Sequence, residues 1–177
     1  MYTACFTGHR TLNGKYDGAD WNRLSGYMAE VLIPKLCKEY RITNFISGMA
    51  LGVDMLAAEW VLYHKNRYAE PLLLEAAIPY RDQSKIWSEE EQRRYQSILK
   101  RCDVVKILHG RRHANWKLNK RNEYMVDKAQ YVIAIWDGFK KGGTYNCYKY
   151  AEKKRKSIII VNPIVLDWDF RQQIMTI

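Results

Sequence analysis

The stretch 131-YVIAIWDGFKKGGTYNCYKYAEKKRKSIIIV-161 contains the clearest indication of the fold. It opens with a continuous apolar run, 131–136, and closes with a second one, 157–161, and both are of strand length. Between them lie a glycine turn and a longer segment, 144–155, that is predicted to be helical. Unbroken apolar strands are typical of parallel sheets that are buried on both faces. This strand–helix–strand unit therefore predicts an α/β protein built on a parallel sheet.

The same alternation runs through the rest of the chain. Further apolar runs of strand length lie at 4–8, 44–48, 71–78 and 103–108. Helices are predicted in the intervening segments, at 19–40, 53–66, 88–101 and 118–128. A chain of 177 residues, 47% of them hydrophobic, can bury one sizeable core. We expect one Rossmann-like domain over 1–177, with a mostly parallel sheet flanked by helices.

Several classes of protein are excluded by composition. No run approaches the roughly 18 to 20 apolar residues of a membrane span, and the N-terminus, MYTACFTGHR, lacks the pattern of a signal peptide. We therefore expect a cytoplasmic protein with no membrane partner. The four cysteines are scattered, with no CxxC pair and no His/Cys spacing suited to zinc. No disulfide, metal or cofactor is expected.

The chain is strongly basic, with a formal net charge of +10 from 29 Lys and Arg against 19 Asp and Glu. Much of the excess falls in two clusters, Arg111 to Lys128 and Lys140 to Lys156. Such a charge favours phosphates, whether on nucleic acid or on a nucleotide. The alternative is a solvated basic surface, in which the lysines near 149–156 favour a helix C-terminus.

Glycine-bearing segments follow three of the predicted strands: 7-TGHR-10, 47-SGMALGVDMLAAE-59 and 137-DGFKKGGTYN-146. In a parallel sheet, ligands bind where strands end and loops lead into helices. Arg10 offers paired donors for a phosphate or carboxylate, and glycine turns before helices expose backbone amides to an anion. Two such turns at one sheet edge predict a nucleotide site.

Each of these features also has a purely structural interpretation. Glycine-rich turns between strands and helices occur for tight packing alone. Asp54 can complement a helix N-terminus, Glu59 can be a solvated helix residue, and Arg10 can be a surface ion-pair partner. Arg121 and Asn122 can cap and brace the helix that contains them.

The motifs TGHR, SGMALGVDMLAAE, 121-RNEYMVD-127 and WDGFKKGGTYNCYKYA resemble, in the same order, those of the YpsA-like branch of the SLOG superfamily. The resemblance extends from about Thr7 to Pro163. Its Rossmann-like relatives include the DNA-processing Smf/DprA proteins and the LOG phosphoribohydrolases. It implies a pocket for a nucleotide or nucleotide-derived ligand. The implied ligand-binding residues are Gly8, His9, Arg10, Ser47, Gly48, Gly52, Asp54, Arg121, Asn122, Asp127, Gly142, Gly143 and Thr144.

The chain departs from the LOG pattern at the residue that carries catalysis. The LOG enzymes have PGGxGTxxE, in which the glutamate three residues after the threonine is catalytic, and this chain has Cys147 there. Cleavage of an N-glycosidic bond needs a carboxylate near the anomeric carbon. The weak candidates are Asp54, Glu59 and Asp127. A Cys147–His9 nucleophile pair is a further alternative, so enzymatic activity is left open.

Three hypotheses follow. The first is a protein that binds a nucleotide-derived small molecule as a sensor, sequestering agent or regulator; the second is a LOG-type phosphoribohydrolase. The third is a single-stranded nucleic-acid binder, which the charge and the aromatic residues Trp116 and Tyr124 favour. A homodimer is also expected if Trp60, Leu62 and Tyr63 form an exposed apolar face.

Overall fold

The computed structural model describes residues 1–10, 18–68, 71–110, 113–166 and 168–171. Within these ranges the chain forms one seven-stranded sheet of order β4-β3-β2-β1-β5-β6-β7. The strands are β1 (Tyr2–Gly8), β2 (Ile42–Ser47), β3 (Leu73–Ile78), β4 (Val104–Ile107), β5 (Tyr131–Ile135), β6 (Ser157–Val161) and β7 (Trp168–Arg171). The first six are parallel, and β7 pairs antiparallel with β6. The predicted Rossmann-like, mostly parallel α/β fold is confirmed.

The helices are α1 (Gly18–Tyr27), α2 (Ile33–Lys38), α3 (Val53–His64), α4 (Glu89–Leu99), α5 (Asn115–Lys128) and α6 (Gly142–Lys153). A π-helical turn, Met28–Leu32, joins α1 to α2, so the helix predicted at 19–40 is interrupted. In this turn the Ile33 amide donates to the Met28 carbonyl, five residues earlier, as in a π-helix. Pro34 follows in the first turn of α2, where its missing N–H is tolerated.

Two boundaries differ from the sequence prediction in ways that matter for the site. Helix α5 begins at Asn115, three residues before the predicted start, and thereby includes part of the basic, aromatic segment. Residues 111–112 of that segment lie outside the described residues. Helix α6 begins at Gly142 rather than residue 144, so the glycines form its first turn.

Helices cover both faces of the sheet except at the edge strand β4, whose residues are exposed. One core lies between the sheet and α1 to α4, where the rings of Phe6 and Phe45 stack with centroids 5.7 Å apart. The other lies beneath α5 and α6 and includes Met125, Val126 and Cys147. No helix in the described part of the chain is long and apolar enough to cross a membrane.

The predicted apolar face on α3 is largely absent from the surface. Leu62 is buried, and the half-buried Trp60 donates its indole N–H to Ser25 Oγ at 3.1 Å. Tyr63 is exposed, with the Arg67 guanidinium 4.2 Å from its ring centroid. Core burial therefore accounts for Leu62, and a homodimer stays a prediction.

The strand order positions the site. From β1 the chain adds β2, β3 and β4 on one side and then returns to place β5 on the other side of β1. Gly8 at the end of β1 is in register with Ile135 at the end of β5. Such a reversal leaves a crevice outside the carboxyl ends of the two strands, which is where open α/β sheets bind ligands.

Candidate ligand-binding site

A cavity of about 470 Å³ occupies this crevice and is called the switch-point cavity below. Four segments form its wall: the end of β1, the start of α3, one face of α5 and the start of α6. Its lining residues are Thr7, Gly8, His9, Arg10, Ala50, Asp54, Asn115, Leu118, Asn119, Arg121, Asn122, Lys141, Gly142, Gly143, Thr144 and Asn146. The topology thus brings together the strand exits that the sequence singled out.

Gly8 and Gly52 allow the TGHR turn, residues 7–10, to pack closely against the start of α3. The Val53 amide donates to the His9 carbonyl at 3.1 Å. A Cβ on Gly52, whose φ is 84°, would lie 2.3 Å from the Arg10 carbonyl oxygen, and one on Gly8 would lie 2.6 Å from the Val53 side chain. Glycine is required here because two backbones approach closely. Gly8 lines the cavity, whereas Gly52 supports its wall from behind.

A buried ion pair forms the floor of the cavity. Arg121 Nη1 lies 3.2 Å from Asp54 Oδ2 and also donates to the Gly48 carbonyl. Both charged side chains are only 7% exposed. A Cβ on Gly48 would lie 1.7 Å from Arg121 Nη1, so glycine at this position leaves the space that the guanidinium occupies.

Ser47 supports the loop beneath this ion pair through two hydrogen bonds to the backbone. Its hydroxyl donates to the Asp54 carbonyl at 2.7 Å and accepts from the Met49 amide at 3.1 Å. Ser47 and Gly48, although predicted to bind ligand, do not line the cavity. They hold the loop that positions Asp54 and Arg121.

Asp54 is the one carboxylate among the described residues that line the cavity. Burial raises the pKa of its carboxyl, while Arg121, the Ala50 amide at 3.4 Å and Arg10 act in the opposite direction. Its Oδ2 atom is already engaged by Arg121 and Ala50. In contrast, the buried Arg121 Nε has no hydrogen-bond partner among the described residues, which leaves one donor beside the cavity unused.

The N-terminus of α6 enters the cavity with its backbone uncovered. No side chain caps its first turn, and Asn122 Nδ2 braces it by donating to the Gly143 carbonyl at 3.3 Å. Gly142 has a φ of 87°, which favours glycine. A Cβ on Gly143 would meet nothing within 4 Å. Packing therefore does not require glycine at 143, unlike Gly48 and Gly52, and Gly143 is an exposed residue of the cavity lining.

An array of asparagines was missed by the sequence analysis, which singled out Asn122 alone. Asn115, Asn119 and Asn122 lie on one face of α5, and Asn146 lies across from them on α6. The spacing i, i+4, i+7 was the signal, because it places side chains on one helix face. Each amide offers both donors and acceptors, as recognition of a sugar or a base requires.

The structure does not support a Cys147–His9 nucleophile pair. Cys147 is fully buried, and burial raises the pKa of its thiol to about 11, against the lowering effect of a hydrogen bond with Thr7. The reactive thiolate is therefore scarce at neutral pH. His9 Nε2 instead lies 3.3 Å from Asp137 Oδ1.

Two other predicted carboxylates lie away from the cavity. Glu59 forms a two-bond ion pair with Arg94, at 2.7 and 2.6 Å, between α3 and α4. Asp127 pairs with Lys154 Nζ at 3.1 Å near the end of α5 and accepts from the Tyr150 hydroxyl. Nor do any three His, Cys, Asp or Glu side chains in the described residues converge as a metal site.

The strand order and the cavity at its reversal define a Rossmann-like protein with a polar, cationic pocket. The family model for YpsA, described as the YspA SLOG family, matches residues 6–166. The chain therefore belongs to the YpsA family of the SLOG superfamily, as the motifs implied.

Two relatives from Bacillus subtilis illustrate the match. The uncharacterized SPbeta prophage-derived protein YoqJ is 31% identical over 145 residues, which cover 74% of this chain and 81% of YoqJ. The UPF0398 protein YpsA is 27% identical over 112 residues, which cover 63% of this chain and 61% of YpsA. The match thus spans less than two thirds of YpsA.

Two solved structures of DNA processing protein A (DprA) share the fold. The Streptococcus pneumoniae protein has a TM-score of 0.60 at 15% identity, covering 94% of this chain and 52% of that one. The Helicobacter pylori protein, whose structure concerns a single-stranded DNA binding mode, has a TM-score of 0.58 at 17% identity. That match covers 91% of this chain and 65% of the DprA chain. At these identities the likeness is one of fold.

Proposed function

We propose that this protein binds a nucleotide or nucleotide-derived small molecule in the switch-point cavity, as a sensor, sequestering or regulatory protein. One observation carries the proposal: the uncapped N-terminus of α6 opens into the cavity at the unobstructed Gly143, beside Arg10 and Lys141. An uncapped helix N-terminus carries partial positive charge and unused amide donors, and both attract phosphate.

The charges around the cavity favour an anion. Arg10 and Lys141 line it, and the Asp54 charge is offset by Arg121. The cavity walls therefore carry a net positive charge. The Arg10 guanidinium offers paired donors that match two phosphate oxygens, and Lys141 adds a charge next to the helix N-terminus.

The remaining lining suits a sugar and a base. Asn115, Asn119 and Asn146 present amides around the same space, and His9 adds an imidazole. At about 470 Å³, the cavity falls in the range of roughly 300–1,000 Å³ that is usual for small-molecule sites. A nucleotide combines the required anion with several hydrogen-bonding groups.

Binding without turnover is the expected outcome. The position of the LOG glutamate is occupied by the buried Cys147 thiol, and Asp54 is held by Arg121 and the Ala50 amide. Cleavage of an N-glycosidic bond by the LOG route needs a carboxyl group that exchanges a proton with the substrate. Cys147 supplies none, and the Oδ2 atom of Asp54 is engaged by Arg121 and Ala50, which supports a binding protein over a LOG-type phosphoribohydrolase.

A single-stranded nucleic acid is the second candidate ligand. It is favoured by the DprA-like fold, since the structure of the Helicobacter pylori protein describes single-stranded DNA binding. Trp116 adds a local observation: its ring is 54% exposed next to Asn115, with Lys117 Nζ 5.6 Å from the ring centroid. An exposed aromatic beside a cation is a common stacking platform for bases.

Calorimetric titration separates these candidates. The protein is titrated with the four ribonucleoside 5′-monophosphates and with oligothymidylate at two salt concentrations, and base release is followed by chromatography. We expect at least one monophosphate to bind without base release and with a shallow salt dependence. If only the oligonucleotide binds, and its affinity falls with salt as steeply as expected for contacts to several phosphates, the ligand is a single-stranded nucleic acid. Release of free base would show a hydrolase and contradict binding without turnover.

A further inference from the structure

A second depression adjoins the switch-point cavity. It has a volume of about 510 Å³, lies between α5 and α6, and is called the α5–α6 groove below. Asn119, Asn122 and Asn146 line both spaces. The cavity and the groove therefore lie side by side, and we treat them as two lobes of one cleft that meet at a waist of three asparagine side chains.

The groove combines polar groups with apolar carbon surface. Helices α5 and α6 bury Met125, Val126 and Ala151 closer to the sheet. Above that core, the groove is lined by asparagine, glutamate and lysine side chains, whose carbon stems contribute apolar surface, with Tyr150 as its aromatic residue. Such a mixed surface suits a nucleotide unit, whose base has an apolar face and whose sugar and phosphate form hydrogen bonds.

The charges of the groove leave one cation available. Glu123 is paired with Lys120 at 2.6 Å, and Glu152 is paired with Lys149 at 2.5 Å. Lys153 lines the groove and forms no ion pair with any described residue. Each acidic lining side chain thus has its own lysine partner, which leaves Lys153 as the lining lysine that can meet an anionic group of a ligand.

We infer that the ligand of this cleft is a dinucleotide, two nucleotide units joined through phosphate. The inference rests on the function proposed above. One unit occupies the switch-point cavity with a phosphate at the α6 N-terminus, and the amides of Asn119 and Asn146 face the linkage at the waist. The second unit occupies the α5–α6 groove, where Lys153 meets its charge. The groove is as large as the cavity, so a mononucleotide leaves half of the cleft empty.

The test compares matched ligands on matched variants. Each of the four ribonucleoside 5′-monophosphates and the corresponding 5′-phosphorylated dinucleotides are titrated into the wild type, Lys153→Glu and Lys154→Glu. Lys154 is the control because it follows Lys153 directly at the end of α6, carries the same charge and pairs with Asp127 outside both lobes. The two variants therefore change the net charge equally.

A dinucleotide should bind the wild type at least about tenfold more tightly than its monophosphate, because the second unit binds intramolecularly once the first is held. Lys153→Glu should remove most of this advantage and leave monophosphate affinity unchanged, and Lys154→Glu should preserve both. Equal affinities for mono- and dinucleotide would overturn the inference while leaving the proposed function intact. Absence of binding by either class would overturn both. Affinity that keeps rising with longer oligonucleotides would also overturn it, since the ligand would then be a strand.

Discussion

Arg121 on α5 and Asp54 on α3 form an ion pair, with Nη1 and Oδ2 3.2 Å apart, that connects helices from opposite faces of the sheet. The pair lies where β1 ends and forms the floor of the switch-point cavity. The most buried ion pair among the described residues thus connects α5, and with it the asparagine array, to α3 at the sheet edge.

Asp54→Asn should destabilise the protein strongly. It leaves the Arg121 guanidinium buried without a counter-charge. We expect this cost to exceed the gain from no longer burying a carboxylate, the burial that raises the Asp54 pKa, and to give a net loss of about 3–5 kcal/mol in the free energy of unfolding. Urea denaturation measures this loss. Asp127→Asn is the matched control, since its partner Lys154 is largely exposed and the loss should stay below about 1 kcal/mol. Equal losses would show that the buried pair has no special role.

Gly48→Ala tests the same floor from the backbone side. The added Cβ would overlap Arg121 Nη1, so the guanidinium must move and its bond to the Gly48 carbonyl must break. We expect the free energy of unfolding to fall by about 3 kcal/mol. This loss should not add to that of Asp54→Asn, because both changes disrupt the same contacts of Arg121. Gly26→Ala is the control: nothing lies within 4 Å of its Cβ, and alanine in α1 should stabilise by about 0.5–1 kcal/mol. Additive losses in the double variant would argue against a shared cause.

Cys147 should make stability fall at alkaline pH. Its thiol has a pKa of about 11 in the folded protein against 9.0 for the free side chain. The folded state therefore binds more protons than the unfolded state between these values, and stability is lost as pH rises through this window. The free energy of unfolding should lose about 3 kcal/mol through this one thiol. Between pH 8 and pH 11 it should therefore fall less for Cys147→Ser than for the wild type. The same pH dependence in both proteins would place the thiol in a less buried setting.

Much of the fold was predictable because it depends on local patterns. The continuous apolar runs at 131–136 and 157–161 became β5 and β6, since burial on both faces leaves no polar position in a parallel strand. Ser88 and Glu91 form a capping box that starts α4 close to its predicted boundary. The short strand β7 was missed because a four-residue edge strand, with one neighbour, needs no continuous apolar run.

The site was predictable only in part, because a motif does not show which atoms face a ligand. Gly48 and Gly143 both stand in glycine turns at the same sheet edge, yet one makes room for Arg121 and the other borders open space. That difference depends on α5, which is distant in sequence. Asn115 and Asn119 were missed for the same reason. The sequence shows that they share one helix face, but not that this face borders the cavity, which depends on how α5 packs against α6.

Arg10→Ala should weaken nucleotide binding by about 1.5–3 kcal/mol, as expected when a charge-assisted bond to phosphate is lost. Because Arg10 is exposed, the free energy of unfolding should hardly change. Lys140→Ala is the control: it removes the same charge outside the cavity lining, so its effect should be small and confined to low salt. Wild-type affinity in Arg10→Ala, measured by calorimetry, would make Arg10 a surface residue without a role in binding.

Gly143→Val tests the central claim, that the first turn of α6 holds the ligand's phosphate. A Cβ at 143 meets no protein atom within 4 Å, so the variant should fold with a melting temperature within about 4 °C of the wild type. Its side chain should nevertheless exclude a phosphate from the backbone amides. Gly110→Val is the control, since its Cβ also meets nothing within 4 Å and residue 110 does not line the cavity. The decisive measurement is nucleotide affinity and melting temperature on the same Gly143→Val preparation. If the first turn of α6 holds the phosphate, Gly143→Val loses nucleotide binding and keeps its melting temperature; a Gly143→Val protein that binds as the wild type does would show that the phosphate lies elsewhere.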